Sequence, residues 1–194
     1  MNAKLSPPMR ADARRNRARV LEAAQAAFAS EGLSVPLDEI ACRAGVGAGT
    51  VYRHFPTKEA LFDAVILHRL QGLVDRAREL ATAEDPGGAF FDFVAMLTRE
   101  GSAKKDLIDA LAGAGIDVTA NLVEVNRELR EAIAELLVRA QNAGAVRPDL
   151  GITDLMALLR AVFLATYRAE GDEGMAGRVM SVLCDGIGAR GQAG

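Results

Sequence analysis

The chain has 194 residues, half of them hydrophobic, with a formal net charge of −3, a composition that excludes a disordered polymer. Its two cysteines, Cys42 and Cys184, exclude a disulfide scaffold or a zinc cluster and read as small apolar fillers in a reducing cytoplasm. No run reaches the ~18 apolar residues of a membrane helix, and the polar, basic start lacks the apolar stretch of a secretory signal.

Residues 1–11, with Pro7-Pro8, read as a flexible tail. A helix is predicted from Asp12, a plausible N-cap, because Val20, Leu21, Ala24 and Phe28 recur at three- and four-residue steps. Gly32 followed by Leu33 stops it. Pro36 suits the first turn of a second, short helix that carries Asp38 and Glu39 at its positive end and stops at Gly45. A third helix is predicted over about 48–55, ended by Pro56. Thr57 then caps a long fourth helix, whose stripe runs from Leu61 and Phe62 through Val65, Ile66, Leu70, Leu73, Val74 and Ala77 to Leu80. Asp85-Pro86-Gly87 is the clearest break. Five further helices are predicted, at about 88–100, 103–113, 118–143, 151–169 and 173–189, separated by glycine-bearing segments. No stretch alternates with the period of a strand. The expected architecture is all-α with about nine helices: a head over 12–56 and a body over 57–190.

Charge is divided unevenly. Residues 1–58 carry nine Lys/Arg against five Asp/Glu, and residues 59–194 carry fourteen against twenty-one. A basic head on an acidic body suggests a polyanionic partner for the head.

The informative signal lies in residues 36–55, a short helix, a turn containing Gly45 and a second short helix: a helix-turn-helix. Ile40 and Ala41 face the core, and the small Ala41 and Ala44 allow close helix approach. Gly45 suits the turn, and Val46 plugs it. Val51 and Phe55 anchor the second helix, which leaves Thr50, Tyr52, Arg53 and His54 free to face outward. The string Ile40-Ala41-x-x-Ala44-Gly45-Val46-x-x-Gly49-Thr50-Val51-Tyr52-Arg53-His54-Phe55-Pro56-x-Lys58-Glu59-x-Leu61-Phe62, preceded by Phe28-Ala29-x-x-Gly32, resembles the signature of the TetR-like family of repressors. The resemblance covers about residues 14–66.

That resemblance implies a homodimeric, ligand-responsive regulator that grips a roughly palindromic operator. It carries DNA contacts onto Gly47, Ala48, Gly49, Thr50, Tyr52, Arg53, His54 and Lys58. Arg53 is the candidate for reading guanine, and Lys58 for clamping a phosphate. Arg14 and Arg17 would reach the phosphate backbone from the first helix or form a solvated face. The chain departs from the family pattern at Ala48, Gly47 and Pro36-Leu37, where polar residues are usual. Fewer polar contacts leave more to phosphates and DNA shape.

The body is less legible. Phe62, Phe93, Leu97 and Phe163 either line a ligand pocket or fill the core, while Asn121, Asn126, Arg127 and Tyr167 are polar positions on apolar segments that a small, lipophilic or aromatic effector would satisfy. By resemblance, Leu155, Leu158, Leu159, Val162, Val179, Val182, Leu183 and Ile187 of the last two helices would pair with their copies across a dimer interface. His68 has no second ligand at metal spacing. No nucleophile–base pair or glycine-rich phosphate loop argues for an enzyme, and no cofactor is expected. The remaining rival is a constitutive DNA-binding or partner-docking dimer without an effector.

Overall fold

Long three-and-four-residue apolar stripes with few β-branched runs leave helix packing as the way to bury half the chain's side chains. The structure, a computed structural model, describes residues 7–97, 120–168 and 174–189. Their regular elements are α1 (Pro7–Glu31), a 3-10 turn (Gly32–Ser34), α2 (Leu37–Ala44), α3 (Ala48–His54), α4 (Lys58–Leu80), α5 (86–97), α6 (Ala120–Asn142), α7 (Ile152–Arg168) and α8 (Met175–Ile187). Among the described residues the fold is all-α; the one bridge of sheet type pairs Val146 with Gly188. The helix expected over 103–113 lies outside the described residues.

Two boundaries differ from expectation. Helix α1 opens at Pro7 rather than Asp12, because proline is pre-set for the first helical turn and lacks the amide that would go unpaired there. Asp12 instead pairs with Arg15 one turn on. Pro36 stands just outside α2, with an extended ψ of 148°, instead of inside its first turn.

The described residues divide into two compact units: 7–69 with 120–122, and 70–97 with 123–168 and 174–189. In the first, Val20, Leu21, Ala24, Ala27 and Phe28 of α1 are buried, as are Ile40, Ala41 and Ala44 of α2, Val51 of α3, and Leu61, Phe62, Val65 and Ile66 of α4. The Phe28 and Phe62 rings meet at 5.7 Å between centroids, tilted by 51°, a favourable aromatic arrangement. Cys42 is exposed, which corrects its reading as a filler.

In the second unit, the buried set is Leu70, Leu73, Val74 and Ala77 of α4, Phe90, Phe93 and Val94 of α5, and Ile133, Leu136, Leu137 and Ala140 of α6, with Leu155, Val162, Met180, Leu183 and Ile187 from α7 and α8. Asp85 caps α5 by accepting the Gly88 amide at 2.9 Å. Arg78 of α4 pairs with Glu128 of α6 at 3.1 Å. The end of α8 is clasped to the α6–α7 connection: the Arg147 amide donates to Ile187 at 3.0 Å and the Ala189 amide to Ala145 at 2.9 Å.

Gly87 is fixed by space. A Cβ there would lie 2.6 Å from the Ala145 methyl, well inside contact distance. Gly87→Ala is expected to lower stability by about 1–3 kcal/mol through overpacking. The double variant with Ala145→Gly should recover most of that, and a denaturation midpoint unmoved by Gly87→Ala would disprove the close approach.

Candidate nucleic-acid interface

The turn between α2 and α3 is set by Gly45, which adopts φ 61°, a left-handed conformation that strains any side chain. The Gly45 amide donates to the Cys42 carbonyl and the Val46 amide to the Ala41 carbonyl, both at 3.0 Å. That pair of bonds is the Schellman closure of a helix end. Arg19 of α1 crosses to the same turn, its Nη2 donating to the Gly45 carbonyl at 3.3 Å. A Cβ on Gly45 would fall 2.4 Å from that nitrogen.

Helix α3 is anchored from beneath by Val51 (0% exposed) and terminated by the buried Phe55. Tyr52 stands 46% exposed, and Arg53 and His54 are exposed beside it. Among the described residues Arg53 and Tyr52 have no hydrogen-bonding partner, so their polar ends are free to meet a ligand. Thr50 is half-buried, its amide donating to Gly47 at 2.8 Å. Gly47 and Gly49 face open space, with no atom within 4 Å of where a Cβ would lie. Ala48 opens the helix between them, half-buried.

The basic residues split by engagement. Arg14 is exposed on α1. Arg17 lies over the Phe55 ring, 5.6 Å from its centroid, a cation–π contact that holds its guanidinium beside the C-terminus of α3. Lys58 turns back into the head: its Nζ donates to the Leu33 carbonyl at 2.8 Å and the Ser34 carbonyl at 3.4 Å. The residue expected to clamp a phosphate thus spends two of its three donors internally.

One linkage escaped sequence reading. Arg43 of α2 pairs with Glu39 at 2.9 Å and with Glu31, at the end of α1, at 2.5 Å. The first pair has helical i,i+4 spacing and could have been found; the second, twelve residues apart, could not. Hydrogen bonding to Arg43 holds the Glu31 carboxyl below its ordinary value of 4.5. A lowered folded-state pKa favours folding above the unfolded value, and that contribution is lost as pH falls through the folded one. The Tm gap between wild type and Arg43→Gln should therefore hold from neutral pH down to about 5 and close on further acidification. A gap that persists in strong acid would assign it to packing instead.

The body candidates fare unevenly. Phe62 and Phe93 are fully buried and Leu97 is half-buried. Asn126 and Arg127 are exposed, and Arg127 pairs along its own helix with Glu124 and Glu131. The premise that they are buried polar groups awaiting a ligand is corrected: α6 presents its apolar stripe through Val125 and Leu129, which turns 126 and 127 to solvent. The side chains of Asn121, Phe163 and Tyr167 lie outside the described residues.

The interface candidates also divide. Leu155, Val162, Leu183 and Ile187 are 0–8% exposed within one chain, so they offer a partner little surface. Both helices are apolar on more than one face, and these four take the inward one. Leu158 (37%) and Val182 (72%) are exposed, and Leu159 and Val179 are half-buried.

Residues 20–65 match the family model of bacterial regulatory proteins, tetR family, and residues 85–189 match that of the C-terminal domain of SbtR-like transcriptional regulators. The chain belongs to the TetR family. It is similar to the HTH-type transcriptional regulator UidR of Escherichia coli K12, 30% identical over 161 residues that cover 78% of this chain and 79% of UidR. It is 26% identical to the HTH-type transcriptional repressor KstR2 of Rhodococcus jostii over 184 residues, 88% of this chain and 90% of that one. A TetR transcription regulatory protein from Mycobacterium vanbaalenii has the same fold, with TM-score 0.79 and 47% identity over 93% of this chain and 99% of the other. As a TetR-family member the chain is a DNA-binding transcriptional regulator and not an enzyme. No helix among the described residues is long and apolar enough to cross a membrane.

Proposed function

We propose that two copies of this chain bind a palindromic operator as a repressor and leave it when a small, lipophilic or aromatic molecule enters the body. The observation that carries the DNA half is α3, anchored by Val51 and Phe55 while Tyr52, Arg53 and His54 stand free on its outer face. Residues 12–56 form the DNA-binding domain and residues 57–190 the ligand-binding and dimerisation domain.

Tyr52, Thr50 and His54 contact phosphates or bases, Arg53 reads a base, and Gly49 offers its amide to a phosphate. Arg14 adds charge from α1. The dimer forms through α7 and α8, where Leu158, Leu159, Val179 and Val182 leave apolar surface for a second copy. Heads about 34–36 Å apart enter successive major grooves, and the effector acts by differential affinity for a state with another spacing. The KstR2 name, that of a repressor, supports repression. The regulator acts in the cytoplasm, where its operator is.

Fluorescence anisotropy against DNA from upstream of the chain's own gene, with shuffled DNA as control and a salt series, tests this. Tight binding to the upstream DNA alone, weakening steeply with salt, supports it. Absence of binding to either DNA at low salt overturns it.

A further inference from the structure

We infer that Lys58 is a positioning residue that ties the first turn of α4 to the α1–α2 connection, so that the head follows α4 in both position and orientation. The inference rests on the DNA-binding reading above, because orientation matters only to a head that docks.

Two bonds to consecutive carbonyls, Leu33 at 2.8 Å and Ser34 at 3.4 Å, carry it. Both carbonyls sit where α1 and its 3-10 turn end, the negative pole of that helical segment. An ammonium there satisfies acceptors that have no helical donor. Lys58 is itself half-buried, so its reach inward is a built contact of the head.

The contact continues. The Ser34 hydroxyl donates to the Glu31 carbonyl at 3.0 Å, and the Glu31 carboxylate holds Arg43 on α2. The start of α4 is thus joined to the head by the chain itself, by the buried Phe62 ring against Phe28 of α1 and by Lys58. Phe55, Pro56 and Thr57 join it covalently to α3, and Lys58 joins it by hydrogen bonds to the 3-10 turn that precedes α2. The ring contact is apolar and non-directional and tolerates small rotations of the head; the directed bonds of Lys58 oppose them.

Lys58→Met keeps the methylene stem and removes the donors; Lys58→Arg keeps charge and donors. The first measurement, on the full chain without DNA, is backbone amide exchange in peptides spanning 30–40 and 54–64. Lys58→Met is expected to speed exchange in both together, with Lys58→Arg near wild type. Unchanged exchange in Lys58→Met overturns the inference.

The second uses DNA duplexes with the half-site spacing varied by one and two base pairs. Wild type should discriminate sharply between spacings and Lys58→Met weakly, with an unchanged salt slope. If Lys58 instead contacts a phosphate, the slope of log K against log salt falls by about 1.8 for a dimer and spacing discrimination survives; that outcome also overturns the inference. Should wild type bind no DNA, the regulator reading falls, while the exchange measurement still decides the tie.

Discussion

Phe62→Ala is expected to cost the protein about 3–5 kcal/mol, at least a fifth of the ~5–15 kcal/mol that holds a typical domain folded. The ring is 0% exposed and meets Phe28 at 5.7 Å, so truncation loses transfer energy, opens a cavity and strands the Phe28 ring. The flanking Leu61, Val65 and Ile66 belong to the same helix, which limits how far they can close into the space. Urea denaturation followed by circular dichroism should show a lower midpoint with little change in slope. Phe28→Ala and Phe62→Ala together should cost less than the sum of the singles, since each already removes the shared contact. A loss well below 1 kcal/mol would mean that the ring borders an open pocket, the alternative that sequence left standing for this residue.

Arg53→Ala should cost about 1–3 kcal/mol for each half-site against the preferred operator and almost nothing against an operator altered at the base that Arg53 reads. Its guanidinium is exposed on α3 and holds no described partner in the free protein, so no internal bond need break before it reaches a base edge. Tyr52→Ala should behave differently, weakening binding to all sequences by a similar factor, because a phosphate contact carries no sequence information. The check is anisotropy on a panel of operators with single base-pair changes. If Arg53→Ala weakens every operator alike, the base-reading assignment is wrong and the residue belongs with the phosphate contacts.

Much of the fold was legible because its determinants are local. The stripe from Leu61 to Leu80 and the glycine at position 45 act within a turn or two of helix, and the helix-turn-helix follows from them. The start of α1 was misplaced because Pro7-Pro8 reads equally as a tail or as a helix opening, and only the following turns decide. At the site, α3 was readable because Val51 and Phe55, four apart, leave one outward face. Lys58 was not, since its partners Leu33 and Ser34 lie twenty-five and twenty-four residues earlier. Arg17 on Phe55 has the same character. In α7 and α8 the reading stalled because both inward and outward faces are apolar. Leu155 and Leu158 are alike in chemistry, and only the packing of one protomer separates the buried 0% from the exposed 37%.

The three glycines around the recognition helix answer a mutational scan differently. Gly45 is constrained by its left-handed backbone, whereas the end of the Arg19 side chain beside it can move aside, so substitutions there report on folding. Gly47 and Gly49 have neither a left-handed backbone nor a neighbour within 4 Å, and the free protein has room for a methyl at both. An alanine at either position that leaves melting untouched but abolishes operator capture would act as a feeler gauge: the missing space would belong to the nucleic acid, and the deficit would measure how closely the two backbones approach.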